Sequence, residues 1–396
     1  MQSRSMLNWA PMISTDEAVP QILTDILKEN YQQVHFIGCE FWGDKVGVTP
    51  DKLFKKLKSL NIKNHFKEHY VKTAIILYQG EAQYFVPGSK VSLQSINLYD
   101  AIKKANIYST DFFITGYHEA EKLMTDYCNQ FESSNNFKHI NIDYFHHFNE
   151  LIDHNTKLNV DECNYNFSYM GHNHRMHRKL FSKFLIENNL YQKNLVSFTN
   201  GKIAKEKNNQ KPEFETHNNF ITFPLWTKDD WNYSKNLIDL YNRVELFDYK
   251  NNLISDNLPD NNPVHPFLQK SYIHLVCETL FNYSYPNPNE KMMQAITAKR
   301  PFIVIGPART LTQLKCLGFK TFDSILDESY DTIKDPNERL EKIMTMTLEI
   351  SKLPKDQLKK MVKDVEDILN YNYDLLFYKR KNLAKSLKES IIEVWE

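Results

Sequence analysis

HLVCETLFNYSYPNPNEKMMQAITAKRPFIVIG, residues 274–306, contains two apolar runs of strand length with a helical segment between them. His274 to Phe281 is short and apolar apart from Glu278, and Pro301 to Gly306 is the unbroken apolar run of a parallel strand covered on both faces. Neighbouring parallel strands need a crossover. Asn289 to Lys299 supplies one: Asn and Pro precede it, Met292, Met293 and Ile296 recur at helical spacing, and Lys299 and Arg300 close it with positive charge. Glu290 and Lys291 therefore fall in the first turn of a helix. Unpaired N–H groups and the helix dipole attract an anion there, and a lysine adds a mobile cation suited to phosphate. On spacing alone a plainer account is preferred, an acid complementing the dipole beside a solvated lysine, because such complementarity is ordinary.

The first part of the chain has the same rhythm. Val34 to Cys39, Thr73 to Tyr78, Asp111 to Gly116 and Ile140 to Phe145 are short β-branched or aromatic runs, and segments such as Asp51 to Leu60 and Glu119 to Gln130 between them have helical spacing. This alternation predicts an α/β fold with a parallel sheet covered by helices. Ligands of such sheets sit beyond the carboxyl ends of the strands, so the residues just past each run are the candidates. They are Glu40 and Asp44, then Gln79 and Glu81, then Tyr117, His118 and Glu119. Each of these acids is equally a solvated loop or helix-start residue. Glu40 ranks first because GCEFWGD sets it between Gly38 and Gly43 in a chain with only ten glycines, and glycine permits turns and close approach of a ligand.

Around Phe148 to Glu162 the pattern loosens into polar linker, and a second alternating unit begins with Asn164 to Gly171. His172-Asn173-His174-Arg175-Met176-His177-Arg178 follows and opens a helix through Phe181, Phe184, Leu185 and Ile186. Strand, glycine, basic turn and helix suit a phosphate, with free N–H groups at the helix start and guanidinium forks for bidentate contact. The three histidines also invite a metal, but His172 and His174 cannot share a helix face and no cysteine or acid nearby completes a set, so no metal site is assigned. Leu195 to Asn200 reads as the next strand, Gly201 to Asn219 as a charged exposed loop, and Asn251 to Pro266 as a polar one. After Gly306, Ala308 to Leu317 reads as helix and Phe319 to Phe322 as a short strand, and Asp335 to Leu353, Lys355 to Leu369 and Tyr371 to Trp395 have the apolar spacing of structural helices.

A chain of 396 residues exceeds the usual size of a single core, which predicts two domains. Lys and Arg together balance Asp and Glu, so no bulk field draws the protein to nucleic acid or an anionic membrane. Five scattered cysteines without a CxxC spacing suggest neither a disulfide framework nor a zinc site. No apolar stretch reaches the roughly 18 residues of a membrane span and the first residues lack a signal-like core, so a cytoplasmic location is expected.

An acid ending a strand, Glu-Lys opening a helix, the PFIVIG strand, a turn with Leu311 and Leu314, GFKTF (Gly318 to Phe322) and DESYD (Asp327 to Asp331) form one ordered string. It resembles the C-terminal nucleotide-sugar domain of GT-B glycosyltransferases, and within them the fucosyltransferase-like enzymes of phage and bacterial sugar-modification clusters. The similarity runs from about Asn164 to Arg339. It implies two Rossmann-like domains facing a central cleft, residues 1–158 on the acceptor side and 159–370 on the donor side, with residues 371–396 crossing back as a helix. It further implies a donor site of Gly171, Asn173, Arg175, Arg178, Glu278, Glu290 and Lys291. There Glu290 meets ribose hydroxyls, Lys291 with Arg175 or Arg178 meets the diphosphate, and Glu278 lies near the donor sugar. The resemblance also implies a UDP- or GDP-sugar as co-substrate, with no metal or other cofactor required. Transfer with inversion needs a base for the acceptor hydroxyl, for which Glu40, Glu119 and His118 are the candidates. The acceptor is a glycan or a hydroxymethylated DNA base. A non-catalytic sugar-nucleotide-binding or scaffolding protein that keeps the GT-B fold is the alternative.

Overall fold

The computed structural model describes residues 18–38, 73–78, 111–116, 137–141, 156–171, 176–190, 193–198, 268–278, 281, 286, 288 and 290–395. Within them the chain is α/β, with two four-stranded parallel sheets. The first takes its strands in chain order: β1 (Gln33–Gly38), β2 (Thr73–Tyr78), β3 (Asp111–Gly116) and β4 (Phe137–Asn141). The fourth strand begins earlier, at Phe137, than the aromatic run at Ile140 to Phe145 suggests. Its place is set by the neighbouring strand, Phe112 pairing with Phe137 and Gly116 with Asn141, rather than by local composition. The expected helices Asp51 to Leu60 and Glu119 to Gln130 and the loops at Gly201 to Asn219 and Asn251 to Pro266 lie outside the described residues.

The second sheet has the order β6 (Leu195–Phe198), β5 (Tyr165–Gly171), β7 (Ser271–Cys277) and β8 (Phe302–Ile305). All residues of β7 and β8 are buried, which is why β8 is continuously apolar and β7 is apolar apart from Ser271 and His274, both bonded to Ser168. α1 (Ala18–Lys28) precedes the first sheet, and three helices lie close to the second in sequence: α2 (Met176–Glu187) follows β5, α3 (Glu290–Thr297) joins β7 to β8, and α4 (Thr310–Cys316) follows β8. Met292, Met293, Ala295 and Ile296 of α3 enter the core with Ile273, Leu275, Ile303 and Ile305 of the strands. Each such side chain contributes roughly 1.5–3 kcal/mol on burial.

Phe319 to Phe322 is not a strand. Its main chain is satisfied by side chains instead: the Lys320 N–H donates to Asn372 Oδ1 at 2.8 Å, the Lys320 carbonyl accepts from Asn372 Nδ2 at 2.8 Å, and the Phe322 N–H donates to Glu328 Oε1 at 2.6 Å. Four helices complete the chain, α5 (Pro336–Lys352), α6 (Lys355–Asp364), α7 (Glu366–Lys381) and α8 (Leu383–Trp395). The last long helical stretch is thus divided at Asn382, whose Nδ2 donates to the Tyr378 carbonyl at 2.8 Å. α7 packs on α3, whereas α8 packs on α1 and β4. Leu383, Leu387 and Ile391 of α8 share a core with Leu23, Ile26, Leu27, Ala74 and Ile140.

Candidate functional site

In the second sheet β5 is flanked by β6 on one side and β7 on the other, so the chain leaves β5 and β7 for opposite edges. The carboxyl ends of these two strands form the switch point at which open α/β sheets take ligands. Gly171 ends β5, Glu278 follows β7, Gly306 follows β8, and α3 begins with Glu290 and Lys291.

Glu278 is 1% exposed. Its N–H donates to the Ile305 carbonyl at 2.9 Å, extending the β7–β8 ladder by one residue. Its own carbonyl accepts from Arg178 Nη2 at 3.0 Å and from His177 Nε2 at 2.9 Å. Arg178 Nη2 also reaches the Cys277 carbonyl at 3.2 Å. Arg178, placed by its sequence at a phosphate, is therefore buried and stitches the start of α2 to the end of β7. Its Nε is buried with no acceptor among the described residues. Burial pushes the Cys277 thiol up, against the pull of the Arg178 charge, the Tyr169 hydroxyl and the Lys291 charge.

The glycines at this edge answer to packing. A Cβ on Gly306 would stand 3.0 Å from Glu278 Cγ, and one on Gly171 would stand 2.7 Å from the Tyr169 hydroxyl, where real Cβ contacts essentially never fall. Tyr169 in turn donates to the Arg178 carbonyl at 3.3 Å and stacks near Phe181, with ring centroids 5.2 Å apart. Gly171, Arg178, Glu278 and the start of α3 are thus brought to one sheet edge. Lys291 is half-buried there, and the Glu290 side chain lies outside the description. Glu40, His118, Glu119, Asn173 and Arg175 lie outside the described residues.

Three residues at this edge escape the sequence reading. Phe281 stacks on His177, with centroids 5.3 Å apart and planes 16° from parallel, and the Arg339 guanidinium carbon lies 4.6 Å from the Phe281 centroid. Arg339 gave one signal: it falls on the stripe of buried α5 residues that includes Leu340, Ile343 and Ile350, where an arginine is out of place unless bonded.

DESYD is fully engaged within the fold. Asp331 accepts from the Leu311 N–H at 2.8 Å, the Thr312 N–H at 3.0 Å and the Thr312 hydroxyl at 2.8 Å, capping α4. The Tyr330 hydroxyl accepts from the Val304 N–H at 2.9 Å, and burial pushes that phenol up. Glu328 accepts from Phe322 N–H, from the Thr321 hydroxyl at 2.8 Å and from Lys315 at 3.1 Å.

Chemically, this edge offers N–H donors at a helix start, a lysine, and a buried carboxylate, a set suited to an anionic ligand with hydroxyl groups. Among the described residues no three metal-ligating side chains converge, and no described helix is long and apolar enough to cross a membrane. Comparison with protein families, with curated proteins and with solved structures finds no match to this chain.

Proposed function

We propose that the protein is a glycosyltransferase of GT-B architecture, moving a sugar from a nucleotide-activated donor to an acceptor hydroxyl. The observation that carries this is the start of α3, with Glu290 and Lys291, beside the buried Glu278 at the carboxyl edge of β5 and β7. The donor, a UDP- or GDP-sugar, lies across this edge between a first domain of residues 1–158 and a second of 159–370, with residues 371–396 returning to the first. Lys291, with Arg175 or the Nε of Arg178, meets the diphosphate, Glu290 meets the ribose, Gly171 and Asn173 line the phosphates, and Glu278 faces the sugar. Cations aimed at a leaving diphosphate stabilise the charge that develops as the glycosidic bond breaks, which is the role a metal plays in other transferases. Glu40, Glu119 or His118 takes the proton of the acceptor hydroxyl. The acceptor is a glycan or a hydroxymethylated DNA base, met in the cytoplasm of a bacterium or of a phage-infected host.

Thermal-shift measurements with UDP-glucose, UDP-N-acetylglucosamine, GDP-mannose and GDP-fucose are expected to show stabilisation by at least one. Lys291→Ala is expected to weaken that donor about tenfold, roughly 1.4 kcal/mol, with little change in the unliganded Tm. Unchanged affinity in the variant would remove Lys291 from the donor site, and failure of every sugar nucleotide to stabilise the wild type would sink the glycosyltransferase assignment. Binding without hydrolysis or transfer to glycans or hydroxymethylated DNA would point instead to a non-catalytic sugar-nucleotide-binding protein.

A further inference from the structure

The two largest fully buried side chains of the described residues are arginines, Arg300 and Arg339. Among the described residues both give their hydrogen bonds to main-chain carbonyls, and they do so at opposite ends of the second sheet. Arg300 reaches the carbonyls of Lys299 at 3.1 Å, Asn159 at 3.1 Å and Gln269 at 2.7 Å, which precede β8, β5 and β7. It ties the amino ends together. Arg339 reaches Gly306 at 3.1 Å, Phe281 at 2.8 Å, Ile333 at 2.6 Å and Lys334 at 3.2 Å. It ties the segments that follow β8 and β7 to the segment that enters α5.

The carbonyls held by Arg339 flank Glu278. Gly306 lies against the Glu278 side chain, closely enough that a Cβ there would stand 3.0 Å from Cγ. Phe281 lies under the guanidinium and against His177, and His177 donates to the Glu278 carbonyl at 2.9 Å. Arg339, Phe281, His177 and Glu278 thus form one continuous packed unit. A guanidinium suits this task because its planar fork donates in several fixed directions at once, whereas an ammonium is a point charge without that fork. Burial lowers the Arg339 pKa to about 10, so the group stays charged at neutral pH.

The geometry points to Arg339 as a positioning residue that sets Glu278 and the segments after β7 and β8 for the sugar nucleotide, an inference that rests on the donor site proposed above. Arg300 provides the control, being as fully buried and bonded to three main-chain carbonyls but at the far end of the sheet.

The test compares full-length Arg339→Lys, Arg300→Lys and Phe281→Leu, which keeps an apolar side chain but removes the ring. Three quantities are measured: the unliganded Tm, the Kd of the sugar nucleotide that stabilises the wild type, and hydrogen exchange at the amides of Glu278, Phe281 and Gly306. Both arginine variants are expected to lower the Tm. Only Arg339→Lys is expected to raise the Kd about tenfold or more and to speed exchange at those amides, while Arg300→Lys keeps the Kd within about twofold. Phe281→Leu is expected to raise the Kd several-fold. Equal Kd values for the two arginine variants would overturn the inference. If Arg339→Lys does not fold, Phe281→Leu decides: wild-type affinity overturns the inference and weakened affinity sustains it. If no sugar nucleotide binds the wild type, the donor site itself fails, and unchanged exchange at the three amides in Arg339→Lys then removes the positioning role as well.

Discussion

Asp327 illustrates how an acid in this chain is defined by its donors. Its carboxylate accepts from Lys342 at 2.6 Å and from the Ser329 N–H at 2.9 Å, and these bonds, that to Lys342 first, hold its pKa at about 2. An unfolded aspartate titrates near 3.9, so the folded state binds the proton less readily. The resulting stabilisation is complete above about pH 4 and is lost as pH falls towards 2. Because the Asp327 side chain is 48% exposed, solvent screening keeps the contribution under about 1 kcal/mol. Asp327→Asn is therefore expected to cost under about 1 kcal/mol at pH 7 and to flatten the decline in stability between pH 4 and 2, checked by urea denaturation across that range.

At the scale of elements, α4 depends on a residue far from it in sequence. The residue before its first turn, Arg309, is left-handed at φ 67° and makes no side-chain cap, so the helix start is capped by Asp331 from below. A buried carboxylate taking two helix N–H groups and a hydroxyl complements the dipole as well as the unpaired donors. Asp331→Ala is expected to destabilise the protein by about 2 kcal/mol, and Asp331→Asn, which keeps one acceptor oxygen, by about half that, both measured as shifts in the urea midpoint at constant m-value. The absence of a strand at Phe319 to Phe322 has the same origin. Side chains of Glu328 and Asn372 take the main-chain groups that a sheet neighbour would otherwise take.

Across the whole molecule, α8 joins the core of the first sheet. Leu387 is fully buried among Leu23, Leu27, Ala74 and Ile140, and Lys388 adds an exposed ion pair to Glu29 at 3.2 Å. Leu387→Ala is expected to cost about 2–5 kcal/mol and to raise hydrogen exchange in α1 and β4 more than in β7 and β8. The strands β7 and β8, the helix α3 and the all-parallel character of the second sheet were legible in the sequence, because a strand buried on both faces leaves a continuous apolar run and a helix start is a local event. The same locality put Glu290 and Lys291 at the start of α3, whereas Glu278, read inside the run His274 to Phe281, falls just past β7, which ends at Cys277. The sheet order was not legible, nor was the start of β4, since register belongs to a pair of strands and not to one. Arg178, Arg339 and Asp331 could be seen as charged residues, but their occupation could not. They bond to groups 99, 33 and 20 residues away. Short-range periodicity, written into the chain by the geometry of helix and strand, determined that β7, α3 and β8 are elements and that Glu278, Glu290 and Lys291 lie near their ends. Where those ends meet, and which carbonyls the buried arginines hold at the edge carrying Glu278, is decided only on folding, because a buried donor must find an acceptor wherever the packed chain provides one.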